Sequence, residues 1–537
     1  MVTSGGAVPI HDRSGFYQFA RHHRDRAALI VSGGPTVSFG ELADRVNALS
    51  HGLRDLGLVV GDVVAAAVGN NPEYFELTLA TAQVGMYFVP IDRHSTSAEI
   101  AEIVRDSGAA ILVVEPDRAA DLAEGPLPAH RYVKGVAAEG WSPYESLLAG
   151  KPIEAPPDRV SGSFISYTSG TTGKPKGVKW HTPPRCPEEV VTRHVMPLFR
   201  DYGTKVGHGV HLACMPLHHP ATGGFAICFL HFGHTIVIEE SFDAERFLRA
   251  VERYEVTNTH LVPTQFHRLL RLSDETCARY DLSSLEFVIH GGAPCPPLIK
   301  QMMLNWLGPI VWEYFGSLEG WVSRVSPQEW IDRPGTVGKP LPGTTVTVVD
   351  DDGNELPAGE PGTIYFGTDR RPPYFDYQNA ADRTAAIRRG NLVTAGDYGY
   401  LTDDGYIFLL DRRADVIISG GVPIYPAEIE QYLMLHPAVS DAAVVDVPDG
   451  EHGRSVLAVI QTAASAPNWT VVRELRGYCE DVLAAGKRPH RYGFLRDFPR
   501  TESGKLQRRK IREMFADVHF IGAPTDSGSA HPKGLQA

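Results

Sequence analysis

Cysteine is scarce in this chain of 537 residues, and the few present form no pattern. Cys186, Cys214, Cys228, Cys277, Cys295 and Cys479 stand far apart, with no Cys-x-x-Cys pair among them. That argues against a disulfide framework or a zinc ribbon and fits core thiols of a reducing compartment. Basic excess is missing too: 51 Lys and Arg against 64 Asp and Glu leave a formal net charge of -13. Nonspecific nucleic-acid binding needs a basic face, so that class is disfavoured. The cluster Arg508-Arg509-Lys510 then reads as a solvated helix face or a local anion site. No apolar run reaches the length of a membrane span. The opening Met1-Val2-Thr3-Ser4-Gly5-Gly6 has neither the basic nor the apolar part of a secretion signal. The expectation is a cytoplasmic enzyme with a small-molecule substrate, no nucleic acid and no membrane span; oligomeric state stays open.

What is present is an ordinary globular composition, 43% hydrophobic and 21% charged, at a length that suggests two to four domains. Apolar residues recur at helical spacing from Phe39 to Leu56, with Ser38 available as a cap. A buried strand, Asp62 to Val68, a helix, Tyr74 to Val84, and another strand, Ala110 to Val114, follow. The rhythm resumes at Thr235 to Ile238, Ala244 to Tyr254 and His260 to Val262. It predicts an α/β fold whose strands are covered on both faces. After Pro340 the texture becomes antiparallel: Thr344 to Val349, Gly362 to Phe366, and a hairpin from Tyr400 to Leu409. A compact final unit runs from Asp415 to about Phe515, and the polar tail Gly522 to Ala537 is expected to be disordered. No internal repeat is visible.

The run Tyr167-Thr168-Ser169-Gly170-Thr171-Thr172-Gly173-Lys174-Pro175-Lys176-Gly177-Val178 carries the clearest chemistry. Glycines let backbone N–H groups close on an anion, hydroxyls add donors, and Lys174 and Lys176 add charge. It is a polyphosphate clamp but not a Walker A loop, because two residues, not four, separate Gly170 from Gly173 and Pro175 follows Lys174. The segment closely resembles the phosphate loop of the adenylate-forming (AMP-binding) superfamily, which includes acyl- and aryl-CoA ligases. Further motifs resemble that family in order. Val311-Trp312-Glu313-Tyr314-Phe315-Gly316-Ser317-Leu318-Glu319-Gly320 is similar to its aromatic-Gly-x-Thr-Glu element. His290-Gly291-Gly292-Ala293-Pro294 resembles its Gly-rich turn, Thr394-Ala395-Gly396-Asp397 its ribose segment, and Asp411 to Gly421 its interdomain hinge. Pro499 to Lys505 looks like the loop bearing its lysine.

The resemblance implies a large N-terminal AMP-binding domain, 1–411, with αβ-layered subdomains plus a β-rich subdomain. It also implies a small mobile C-terminal α+β lid, 412–520, before the tail 521–537. It implies that Lys505, Glu319 and His219 are catalytic, with Glu319 and Thr168 near Mg²⁺. It implies nucleotide contacts at Thr168, Ser169, Gly170, Thr171, Thr172, Lys176, Gly292, Ala293, Pro294, Glu313, Tyr314, Phe315, Gly316, Asp397 and Arg412. His219, Gly223, His290, Gly291 and Leu318 are expected to line the substrate pocket. The cluster His208, His211, His218, His219, His231 and His234 lacks metal-ligand spacing, so no metal is expected there.

Three positions depart from the family pattern: Leu318 stands in place of a Thr, Ala414 in place of a hinge Asp or Lys, and Pro423 in place of an amide side chain. The segment Trp180 to Arg193 is also unlike the smooth helix usual after the phosphate loop. The resulting expectation is an ATP- and Mg²⁺-dependent AMP-forming ligase. It activates a small carboxylate, aryl in preference to long-chain, and passes it to CoA after the lid rotates about Ala414. A CoA-independent adenylating enzyme, amide-forming or activating nitrite to diazotise an aryl amine, is the first alternative. A non-catalytic nucleotide-binding protein is the second.

Overall fold

The computed structural model describes residues 15–122, 127–169, 175–367, 375–419, 422–449, 453–462, 469–500 and 506–515. Contacts divide the chain into two units, with the main break between Leu409 and Leu410.

The first unit is built on two large sheets. One has eight strands, in the order Phe375–Tyr377, Pro175–Trp180, Ser163–Ser169, Tyr87–Pro90, Val63–Ala67, Ile111–Val114, His130–Val133 and Ser142–Pro143. The strand Val63–Ala67 is buried at every residue, as a strand covered on both faces must be. Val64 and Ala66 join one apolar cluster and Val63, Ala65 and Ala67 another, so the period of two assigns each face its own core. The helix expected after Ser38 is Phe39–Asp55, and it opens with a full capping box between Ser38 and Glu41.

The second sheet is parallel through Ala27–Val31, Thr235–Ile238, Val210–Ala213, Asn258–Leu261, Phe287–His290 and Val311–Ser317. It turns antiparallel at Gly320–Val325 and continues into the β-rich part, Thr336–Pro340, Thr345–Val349 and Gly362–Gly367. The helices Phe39–Asp55, Pro72–Gln83 and Pro220–His231 contribute to a cluster that takes residues from both sheets. The stretch after Trp180 is irregular, as its Pro-rich sequence suggests: α-helix Pro187–Val190, one π turn at Val191–Val195, then α-helix Met196–Arg200.

The second unit has a three-stranded sheet, Val439–Asp449, Gly453–Thr462 and Arg491–Phe494. Residues from helices Pro426–Leu433 and Trp469–Val482 share one cluster with Ala442 and Val444. Helix Arg508–Phe515 contributes Ile511 and Phe515 to a cluster with Ala443, Val445 and Val447. Pro426 sits at the first turn of its helix, where its missing N–H costs nothing. Among the described residues no helix is long and apolar enough to cross a membrane, and all six cysteines are free thiols.

Candidate functional site

The strands Ser163–Ser169 and Pro175–Trp180 form an antiparallel hairpin in which Thr168 faces Lys176 and Ser169 faces Pro175. Thr168 and Ser169 therefore end one strand. Gly170, Thr171 and Thr172 lie outside the described residues, as does Lys505.

Lys176 reaches across to the second sheet. Its Nζ donates to Oε1 of Glu319 at 2.8 Å, and it sits 3.8 Å from the ring centre of Tyr377. The Tyr377 hydroxyl donates to the same Oε1 at 2.7 Å. Glu319 is buried at the turn that joins Val311–Ser317 to Gly320–Val325. Burial alone would raise its carboxyl, but the Lys176 ammonium and the Tyr377 and Ser317 hydroxyls outweigh that and hold it below the usual range. A cavity of about 360 Å³ adjoins this cluster, walled by Asp106, Tyr167, Lys176, Tyr377, Asn379 and Arg383 among others. Its walls mix apolar and polar groups and carry charge of both signs.

The Gly-rich turn follows directly on the strand Phe287–His290. Gly292 has φ +77°, and Gly292, Ala293 and Pro294 are exposed and open to a ligand. Gly291 is required for another reason: a Cβ there would stand 2.5 Å from the ring of Tyr314. Phe315 packs with Val178 and Val322, and a Cβ on Gly316 would meet Trp321 at 2.7 Å. Leu318, which replaces the expected hydroxyl, leans on that same apolar cluster, and its carbonyl accepts from the Trp180 indole at 2.9 Å. Asp397 is buried at the head of the strand Asp397–Leu401. Arg412 ends the strand Ile407–Arg412 and belongs to the second unit.

His290 and Glu313, both expected at the ligand site, turn their side chains into the fold. His290 and Glu313 are opposite each other in register, so their side chains share one face of the sheet. That face packs on the helix Pro297–Leu307, from which Lys300, itself fully buried, donates to Glu313 at 2.6 Å. Burial raises the Glu313 carboxyl, with Lys300 opposing, so this carboxylate is spent inside the fold. His290 lies 3.6 Å from the same carboxylate, against the edge of Phe266, and neither ring nitrogen has a hydrogen-bond partner. Burial first, then Lys300, pushes its imidazole well below the ordinary range. The Glu313 and His290 side chains are thus buried against the helix Pro297–Leu307 and Phe266. Gly223 is closely packed: a Cβ there would meet the Tyr74 hydroxyl at 2.0 Å and the Leu217 carbonyl at 2.3 Å. The next residue, Gly224, is exposed and faces open space.

The opposite face of the sheet carries an aromatic cluster. Phe225 stacks on His260 at 4.6 Å and touches Tyr314 and Trp321, and His260 Nε2 lies 3.2 Å from the Tyr314 hydroxyl. His219 caps the helix Pro220–His231 close enough to lower the His260 imidazole, after burial itself. Of the other crowded histidines, His211, His231 and His234 are buried core groups, whereas His208 is exposed. His211 stacks on Phe229 and bonds Asn258 Oδ1 at 2.7 Å, Asn258 Nδ2 bonds His234, and His231 Nδ1 accepts from the Phe16 N–H. Sequence reasoning missed Tyr377, Lys300 and His260. No local motif marks them, since each meets its partner only through tertiary packing.

A cationic hairpin set against a buried carboxylate, beside an open Gly-rich turn, can hold a polyphosphate with its counter-cation. Comparison with known proteins agrees. The AMP-binding enzyme family matches residues 16–370, and its C-terminal domain family matches residues 428–505. The 2-succinylbenzoate–CoA ligase of Bacillus pumilus is 32% identical over 492 residues, 91% of this chain and 95% of that protein. The amide bond synthetase McbA of Marinactinospora thermotolerans superposes with a TM-score of 0.77 at 29% identity, covering 94% of this chain and 100% of that one. ATP-bound MatB of Rhodopseudomonas palustris superposes with a TM-score of 0.77 at 27% identity, covering 94% and 99%. The chain belongs to the AMP-binding enzyme family and is an AMP-forming, acid–CoA-ligase-like adenylating enzyme.

Proposed function

We propose that the enzyme activates a small aryl carboxylate as its acyl-adenylate and transfers the acyl group to CoA. The observation that carries the nucleotide half is the Lys176–Glu319–Tyr377 cluster. A buried, acidified carboxylate already balanced by an ammonium is suited to receive the cation of MgATP, and Lys176 is then placed to meet phosphate oxygens. The acid's oxygen attacks the α-phosphorus, the bond to the bridging oxygen breaks, and pyrophosphate leaves. Lys505, on the C-terminal lid assigned to 412–520, is given the charge on the attacking oxygen and the α-phosphate. In the second step the CoA sulfur attacks the acyl carbon and AMP departs. The Phe225–Tyr314–Trp321 cluster beside His260 favours a flat ring over a long chain. The 2-succinylbenzoate–CoA ligase is a relative with an aryl substrate in its name.

A second reading keeps adenylation and changes the acceptor to an amine, with a carboxylate or nitrite as the activated oxyanion. It is favoured by Leu318, which packs apolar where a hydroxyl is usual, by Pro423, which pairs with Ile418 in a short hairpin, and by the likeness to an amide bond synthetase. The test is AMP release over a panel of acids, nitrite, CoA and amines, omitting each component in turn. CoA-dependent thioester formation from an aryl acid supports the first reading. Release that needs an amine and ignores CoA supports the second.

A further inference from the structure

Tyr377 bears no motif, yet it touches both charged members of the cluster. It ends the strand Phe375–Tyr377, which pairs with the Lys176 strand so that Tyr377 faces Val178. Its backbone N–H donates to Thr384 Oγ1 at 3.0 Å, its ring packs 5.8 Å from Phe375, and only 4% of it is exposed. The hydroxyl is therefore held in place by sheet, helix and core. Glu319 Oε1 thus accepts two donors of different kinds, a mobile charged one from Lys176 and a fixed neutral one from Tyr377.

The two donors respond differently when a metal-chelated polyphosphate arrives. An ammonium and a divalent cation on one carboxylate repel each other, while phosphate oxygens attract the ammonium, so Lys176 turns toward the nucleotide. The phenol carries no charge and has no reason to leave. We propose that Tyr377 is the positioning residue for Glu319: it keeps the carboxylate aimed once MgATP has drawn Lys176 away. This inference rests on the adenylating role proposed above. In the free protein the hydroxyl shares Oε1 with Lys176, so its loss is partly covered. In the loaded protein it is the donor that remains on Oε1, and its loss is felt more strongly.

Tyr377→Phe removes the oxygen and keeps the ring under Lys176. Calorimetric titration of wild type and Y377F with ATP plus Mg²⁺, and separately with ATP plus EDTA, reads the difference without turnover. The inference predicts MgATP affinity weakened about tenfold or more, the scale of a lost hydrogen bond to a charged group. Metal-free ATP should stay within about twofold on the same scale, with a melting temperature near wild type. Equal loss for both nucleotide forms, or no loss for either, overturns the inference and leaves the adenylating role standing. Wild type that binds neither form overturns both.

Discussion

Lys300 places a full charge where no solvent reaches, and its sense lies entirely in Glu313 beneath it. A buried pair of this kind contributes little net stability but is costly to break, because one partner's loss strands the other's charge. Lys300→Met should therefore lower unfolding stability by about 3–5 kcal/mol in urea titration. The double variant with Glu313→Leu should recover most of it. If the single and double variants were equally unstable, the pair would not be the reason for the loss. Gly291 makes the complementary case. Gly291→Ala brings a methyl to 2.5 Å from the Tyr314 ring, so the turn must shift. Nucleotide affinity should fall with it, read by equilibrium binding of ATP. Residue types were legible in the sequence, their directions less so. Lys176 and Glu319 were named through resemblance to the family's phosphate loop and Glu element, and they meet at 2.8 Å. His290 and Gly223 were named in the same way; strand register turns the His290 side chain inward, and Tyr74 packs beside Gly223.

At the level of elements, local signals were strong wherever the chain specifies its own ends. The helix Phe39–Asp55 is announced by Ser38 and Glu41, whose side chains satisfy each other's backbone N–H groups. Ser38→Ala should cost about 1 kcal/mol in unfolding stability, with no change in nucleotide binding. The helix Ala244–Tyr254 was legible in outline from its apolar spacing, and the structure adds an Asp243 cap that agrees with it. What local pattern does not contain is which strand lies beside which. The Lys176 strand is flanked by Ser163–Ser169 and Phe375–Tyr377, one its hairpin neighbour and the other some 200 residues away. Tyr377 reaches the site only through that distant pairing, which explains why the sequence did not reveal it.

For the whole molecule, the histidines buried in the first unit set a pH limit. Burial pushes His211 down to about 3 and His231 and His234 down to about 4, from an ordinary 6.5. The folded state then binds fewer protons than the unfolded chain below pH 6.5, so stability is full above that value and falls as the pH drops toward 4. The melting temperature should decline across that window, and His231→Gln should flatten the decline; a slope unchanged by the substitution would remove His231 from the account. Glu319 works in the same direction at lower pH. Its depressed carboxyl contributes above the ordinary carboxylate range and is lost as pH falls through its folded value, taking the Lys176 contact with it. The central claim, that these parts assemble an adenylating site, is tested most directly by exchange of radiolabelled pyrophosphate into ATP over a panel of aryl acids, other carboxylates and nitrite. The account predicts exchange that depends on an added acid and Mg²⁺ and falls steeply in Glu319→Gln. Tight ATP binding with no exchange for any member of the panel would contradict it.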